Sequence, residues 1–168
     1  MGIAEDIAKI AAQERGLVFE AFDEHVAFAI GSRVRERAVR ESLGLVCDIR
    51  LWDRPLFYCA MPGTSADNPV WTVRKSNTVK RLQKSSYRVT LEMGGTERVF
   101  PPHRNLPVEE FALSGGAFPI RVRGIGIVGT VTVSGLHERD DHEVGVAAIC
   151  EELGLDKEAF ALPPRDQS

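Results

Sequence analysis

Apolar residues recur every three or four positions in two stretches near the N-terminus. The stretch from Ile3 to Glu14 follows this spacing, which predicts an amphipathic helix that Gly16 ends. A second stripe predicts a helix from Asp23 towards Leu43, with Gly44 stopping it. Asp23 can cap the first turn of this second helix, because its carboxylate accepts from free backbone N–H groups.

Two pairs of segments rich in β-branched residues have the pattern of β-hairpins. The first pair is Leu45 to Trp52 and Leu56 to Met61, joined by a short turn that contains a proline. The second pair is Ala117 to Arg123 and Ile125 to Ser134. The near-continuous apolar run of the last segment indicates a strand that is covered on both faces.

Three further helices are predicted between and after the hairpins. Asn68 can cap one of them with Pro69 at its first position, and this helix is expected to reach about Gln83. A shorter helix is expected from Ser85. The final helix is predicted from Arg139 to Leu153, with acidic residues in its first turn.

This order of elements predicts an α+β fold in which the two β-hairpins form one antiparallel sheet flanked by helices. Residues 94–106 are rich in glycine and proline and are expected to form an irregular surface excursion. We expect a single domain over residues 1–162 and a flexible C-terminal tail over residues 163–168.

Composition narrows the classes of protein that fit. The 168 residues are 43% hydrophobic and 27% charged, which is typical of a globular chain. The net charge of −3 argues against a nucleic-acid-coating protein. Apolar runs are too short to span a membrane, and acids stand where a signal peptide has its positive region, so a cytoplasmic location is expected. Three cysteines without a Cys-x-x-Cys pair indicate free buried thiols.

Two motifs fail on their context. Gly124, Gly126 and Gly129 match the dinucleotide-binding pattern G-x-G-x-x-G, but a strand follows them where that pattern needs a helix. These glycines are expected to serve a turn and a tightly packed strand. His137 and His142 are five positions apart, which does not place two metal ligands on one helix face. No motif for nucleophilic catalysis or phosphate binding is present.

Basic residues are concentrated in one segment of this acidic chain. Residues 68–91 carry six Lys and Arg side chains and no acid. This pattern is typical of a solvated helix face, and it also fits a positive surface that attracts carboxylates or phosphates. The turn at Gly115 and Gly116 fits either a structural turn or a close approach of backbone to a ligand.

Taken together, four sequence elements resemble the haem-degrading-domain superfamily, and within it the branch known as uncharacterised protein family 0303. They are Trp71-x-x-Arg74-Lys75, Gly115-Gly116-x-Phe118-Pro119-Ile120, the stretch from Gly126 to Leu136, and Asp141-His142. The resemblance covers nearly the whole chain. It implies a profilin-like α/β/α layering and assembly into homo-oligomers, either dimers or larger rings.

The resemblance also implies a site. It points to haem or another tetrapyrrole as the ligand, since some members of the superfamily bind haem and degrade it. The ligand-binding positions that match the family pattern are Arg74, Lys75, Gly115, Gly116, Phe118, Asp141 and His142. His142 is the candidate iron ligand, and Lys75 and His142 are the candidate catalytic residues. Many relatives have a histidine where this chain has Ser114.

Three hypotheses remain open from the sequence. The first is a tetrapyrrole-binding protein, in which basic residues meet the propionates. The second is a non-catalytic homo-oligomeric scaffold, or a protein that binds a partner. The third is a small-molecule enzyme that uses Lys75 or His142 for acid–base chemistry.

Overall fold

A five-stranded sheet forms the centre of the protein, as seen in a computed structural model that describes residues 2–94 and 96–165. The strands in chain order are β1 (Val18–Phe19), β2 (Val46–Leu51), β3 (Arg54–Ala60), β4 (Ala117–Val122) and β5 (Gly126–Ser134). Their spatial order is β1-β4-β5-β2-β3. Both predicted hairpins are confirmed, and the antiparallel pairing of β2 with β5 joins them into one sheet.

The strand β1 was not predicted from the sequence pattern. It pairs in parallel with β4, and Val18 lies opposite Arg121. Two residues are too few to show a period of two, so the sequence pattern carries no signal for this strand. The sheet is therefore mixed, while its four longer strands are antiparallel as expected.

Within the part of the chain that the structure describes, six α-helices accompany the sheet. They are α1 (Ile3–Gly16), α2 (Glu24–Glu41), α3 (Asp67–Leu82), α4 (Ser86–Met93), α5 (Glu138–Leu153) and α6 (Lys157–Phe160). The predicted cap of α2 is confirmed, since the Asp23 side chain accepts from the Val26 amide. The predicted cap of α3 is wrong: the helix begins at Asp67, and Asn68 Oδ1 instead accepts from the amide of Ser65. Among the described helices, none is long and apolar enough to cross a membrane.

One face of the sheet carries the main hydrophobic core. The helices α2 and α5 cover this face. Every second residue of the central strands points into this core. These side chains are almost completely buried: Cys47, Ile49, Phe118, Ile120, Val131 and Val133. Burial of such side chains contributes about 1.5–3 kcal/mol each, which makes this layer the main source of stability.

The opposite face of the sheet is polar, although it is equally buried. Thr130 and Thr132 on β5 have no exposed surface, and Asp48 on β2 is 2% exposed. The helix α3 packs on this face. Its Ser76 hydroxyl lies 2.7 Å from the hydroxyl of Thr130. Hydrogen bonds therefore contribute to the position of α3 on the sheet.

The glycines of the G-x-G-x-x-G motif serve the second hairpin, as the context predicted. Gly124 and Gly126 have φ angles of 77° and 113° in the turn between β4 and β5. Gly129 lies against the backbone carbonyl of Arg50, where a Cβ has no room. Close packing of β5 on β2 thus requires a glycine at this position.

The predicted C-terminal tail is attached at its beginning. The Arg139 guanidinium donates to the Pro163 carbonyl from two nitrogens, at 2.9 and 2.7 Å. The same guanidinium pairs with both oxygens of Asp6 in α1. Arg139 therefore connects both ends of the domain to α5, whereas residues 166–168 lie outside the described residues.

Candidate functional site

Two adjoining clefts open at the N-terminal half of α3, and they share Trp71 and Ser114. The first, here called the arginine cleft, has a volume of about 310 Å³ and is lined by Arg74, Arg98, His137 and Glu138 in addition to the shared pair. The second, here called the lysine cleft, has a volume of about 280 Å³. Its walls include Ser65, Asn68, Lys75, Ser134 and Asp141.

A buried ion pair forms one wall of the lysine cleft. Lys75 Nζ lies 3.1 Å from Asp141 Oδ2 and donates at the same distance to the Val133 carbonyl. The side chains of Lys75 and Asp141 are only 3% and 2% exposed. Asp141 Oδ1 also accepts from the Leu136 amide, at 2.9 Å. The pair thus connects α3, the end of β5 and the start of α5.

Burial shifts both members of this pair towards their neutral forms. The loss of hydration lowers the pKa of Lys75, although the nearby charge of Asp141 opposes this shift. Burial raises the pKa of Asp141 to about 6, against the opposing effect of Lys75. Both pKa shifts favour the neutral forms. The energy needed to move a proton from the Lys75 ammonium to the Asp141 carboxylate is therefore smaller here than in water.

The Gly115-Gly116 turn makes room for this pair. Gly116 has a φ angle of 138°, and a Cβ there would overlap the Val133 carbonyl and lie 2.8 Å from Lys75 Nζ. A Cβ on Gly115 would lie 2.7 Å from the Glu138 carbonyl. Close packing therefore explains why a glycine stands at both positions. Their contact with a ligand stays a prediction.

Arg74 is held over Trp71 at the mouth of the arginine cleft. Its guanidinium carbon lies 4.4 Å from the centre of the indole ring, and its Nε donates to the Val108 carbonyl. The indole N–H in turn donates to Asp67. Among the ion pairs of residues 2–94 and 96–165, none involves Arg74. Its two terminal nitrogens therefore keep donor capacity for an anion.

Arg98 is a cleft residue that the sequence did not indicate. It forms two parallel hydrogen bonds with the Glu138 carboxylate, at 2.8 and 3.0 Å. Glu138 also accepts from the Gly115 amide. This pair attaches the irregular segment before β4 to the start of α5. Arg98 lies within that irregular segment, where no periodicity relates a residue to the site.

His142 and Phe118 lie in the interior rather than along the two clefts. The His142 ring is 1% exposed, and its Nε2 lies 2.8 Å from Gln13 Oε1. It packs against Tyr87 and Phe118, the latter also 1% exposed. Burial lowers the pKa of His142 to about 3, so the ring is neutral at physiological pH. The ligand and catalytic roles of His142 stay predictions.

The basic segment does not form one continuous positive surface. Lys84 and Arg88 are neutralised by Glu92, and Arg88 also pairs with Glu14. Arg74 faces the arginine cleft, and Lys75 is buried. The run of basic residues in the sequence therefore divides into separate roles, because successive positions on a helix face different directions.

The two nearby histidines do not form a metal site. His137 caps α5, since its Nδ1 accepts from the Arg139 amide at 3.2 Å. Within residues 2–94 and 96–165, no three His, Cys, Asp or Glu side chains lie close enough together to hold a metal ion.

The fold and its clefts define a class: an α/β/α layered domain with small polar clefts beside a buried ion pair. The model of the family described as haem degrading protein, HbpS-like, matches residues 22–150. The chain belongs to this family.

Relatives agree with this assignment. The chain is 52% identical over 162 residues to the UPF0303 protein mlr5144 of Mesorhizobium japonicum, covering 96% of this chain and 97% of that one. The resemblance to uncharacterised protein family 0303 is thereby confirmed. The crystal structure of the Ybr137w protein superposes with a TM-score of 0.78 at 24% identity, covering 86% of each chain. The PduOC:haem complex gives a TM-score of 0.63 at 17% identity, covering 77% of this chain and 94% of that one.

We expect the Gly116→Ala variant to lose about 3 kcal/mol of unfolding free energy. The new methyl group overlaps the Val133 carbonyl and the Lys75 head group, in a backbone conformation that side chains rarely adopt. Gly124→Ala is the matched control, because its φ is also positive but nothing lies within 4 Å of the added Cβ. The control should lose only about 1–2 kcal/mol. Urea unfolding measures both, and equal losses would contradict the packing argument.

Asp141 should make stability depend on pH in the acidic range. Its carboxyl has a pKa of about 6 in the folded protein and 3.8 as a model value, so the folded state binds the proton more tightly. The contribution of Asp141 to unfolding free energy therefore falls as pH rises from about 4 to about 6. The unfolding free energy of the wild type minus that of Asp141→Asn should therefore fall over this range, because the variant cannot take up this proton. A difference that rises over this range would contradict the assignment.

Proposed function

We propose that this protein binds an anionic tetrapyrrole, haem or its metal-free parent, through the carboxylates of the ligand. The observation that carries the proposal is the position of Arg74. Its guanidinium lies over Trp71 at the arginine cleft and has no carboxylate partner among the described residues. Arginine binds carboxylates with two parallel hydrogen bonds, and its planar group is well suited to a propionate.

The surroundings of Arg74 support a flat, acidic ligand. Trp71 gives the cleft an aromatic side chain, which favours stacking with a conjugated ring. The His137 ring uses Nδ1 as acceptor, so in its neutral form the proton is on Nε2, which is then a further donor. Membership of the HbpS-like family and the fold shared with the PduOC:haem complex favour a tetrapyrrole among acidic ligands.

The residues of the site fit the carboxylate end of haem better than its iron. His142, the candidate iron ligand, is enclosed by Gln13, Tyr87 and Phe118. His137 lines the arginine cleft, but ligation through Nε2 requires a tautomer that gives up its cap of α5. We therefore assign the affinity to the carboxylates and the macrocycle, and no redox step is assigned to this chain.

Hemin and metal-free protoporphyrin IX should bind with similar affinity. Both carry the same two propionates, and this proposal needs no bond to iron. Titration followed by Soret absorbance and tryptophan fluorescence should give saturable binding for each. Binding of hemin without binding of protoporphyrin IX would show that the metal carries the affinity, and the proposal would then be wrong.

Variants of α3 make this titration specific to the site. Arg74→Met should weaken both ligands roughly tenfold, because a charge-assisted hydrogen bond is lost. Arg81→Met is the matched control, since Arg81 lies on the same helix, exposed and outside both clefts. An equal loss in the two variants would indicate nonspecific attraction to positive charge.

A second candidate function, self-association, is favoured by the edge strand β3. Among the described strands it pairs with β2 alone, so its other edge is available to a second copy of the chain. Phe28, on the neighbouring helix α2, is 66% exposed while its ring contacts Phe57 of β3. An apolar side chain beside an open strand favours a two-fold contact between copies.

Light scattering coupled to size-exclusion chromatography checks this second candidate. We expect a mass above that of one chain, and a decrease in that mass for Phe28→Glu. Val39→Glu is the control, because Val39 is 55% exposed on the same helix about three turns away. A wild-type protein that elutes as a single chain would exclude a stable homo-oligomer under those conditions.

A further inference from the structure

The lysine cleft contains an amine that tetrapyrrole binding does not use. We propose that Lys75 condenses reversibly with a small, neutral, hydroxylated aldehyde or ketone and holds it as an imine on Nζ. The inference goes beyond the proposed function, because it concerns the second cleft and a different class of ligand.

The surroundings of Nζ leave one direction open. An ammonium group has three hydrogens, and the described residues accept two of them, at the Val133 carbonyl and at Asp141. The same side chain lines the cleft wall. A Cβ on Gly116 would lie 2.8 Å from Nζ, so this glycine makes room for the amine at the cleft wall. A carbonyl carbon that enters the cleft can therefore approach the nitrogen.

Asp141 is placed to accept and return the proton that this chemistry requires. Its Oδ2 lies 3.1 Å from Nζ, while Oδ1 is fixed by the Leu136 amide. Burial lowers the pKa of Lys75 and raises the pKa of Asp141, so transfer of one proton gives a neutral amine beside a neutral acid. The charge of Glu138 opposes the shift of Lys75 but does not reverse it.

The reaction balances with these two residues alone. The Nζ lone pair attacks the carbonyl carbon, a C–N bond forms, and the carbonyl oxygen takes the proton from Asp141 to give a carbinolamine. The Nζ of this intermediate then returns a proton to the Asp141 carboxylate. The hydroxyl group takes that proton and leaves as water while the C=N bond forms. Neutral amine, carbonyl compound and Asp141 acid thus become a protonated imine, the Asp141 carboxylate and water, and hydrolysis reverses each step.

The walls of the lysine cleft favour a neutral polyhydroxy ligand. Ser114 and Ser134 contribute hydroxyl groups, and Asn68 contributes a side-chain amide. Two carboxylates, Asp67 and Asp141, also line the cleft and disfavour an anion. The Lys75 side chain is only 3% exposed, so a small molecule can reach its amine more easily than a large ring.

Reductive trapping tests this inference on the wild-type protein. The protein is incubated with dihydroxyacetone and cyanoborohydride at neutral pH, and the modified lysines are located by peptide mass spectrometry. Lys80 is the internal control, because it lies exposed on the same helix. We expect Lys75 to react roughly tenfold faster than Lys80 or more, since more of its amine is neutral. Modification of the exposed lysines with Lys75 unmodified would overturn the inference.

Two further comparisons define the ligand and the proton partner. Pyruvate should label Lys75 more slowly than dihydroxyacetone, and faster labelling by this anion would overturn the ligand class.

Asp141→Asn keeps an acceptor for the Leu136 amide but cannot exchange the proton, so trapping at Lys75 should slow roughly tenfold or more. An unchanged rate in a folded variant would remove Asp141 from the reaction. Porphyrin titration of the same samples reports separately on the proposed function.

Discussion

The ion pair of Lys75 and Asp141 is the interaction on which the geometry of both clefts depends. It connects α3 to the end of β5 and to the first turn of α5, and both side chains are almost completely buried. Removal of either side chain would leave buried polar atoms of the other without a partner, which destabilises the fold. Asp141 also fixes the Leu136 amide, so the turn that borders the lysine cleft is held by the same carboxylate.

The polar layer beneath α3 explains how this helix is positioned so specifically. Apolar contacts tolerate small shifts, whereas hydrogen bonds weaken steeply when their geometry changes. Thr78 donates to the Ala112 carbonyl, and Ser76 shares a hydrogen bond with Thr130. These contacts fix the rotation and the height of α3 on the sheet. Trp71 and Arg74, on the outer side of the same helix, therefore have defined positions at the cleft.

Much of the fold could be predicted from the sequence, because periodicity reports on burial. Both hairpins, the helix that Asp23 caps and the final helix follow from patterns of three or more apolar positions. The strand β1 could not be predicted, since two residues show no period. The pairing of Arg98 with Glu138 joins positions 40 residues apart through an irregular segment, and no local rule relates them.

The residues of the family pattern line the two clefts only in part, and the reason lies in side-chain direction. The family pattern pointed to Lys75, Asp141 and His142, and the structure places the first two in contact. Asp141 and His142 are neighbours on α5, but successive helical residues point about 100° apart. One therefore lines the cleft while the other packs against Gln13 in the interior. Adjacent letters in a motif do not indicate a shared role.

The two clefts differ in charge, and this difference sorts their ligands. Arg74 gives the arginine cleft a cation that no carboxylate of the described residues neutralises, which favours anions. In the lysine cleft the ammonium is balanced by Asp141, and Asp67 adds a further negative charge. Because the clefts share Trp71 and Ser114, a large ligand stacked on the indole also covers part of the lysine cleft. Under the two proposals, occupancy of one cleft would therefore restrict access to the other through steric overlap.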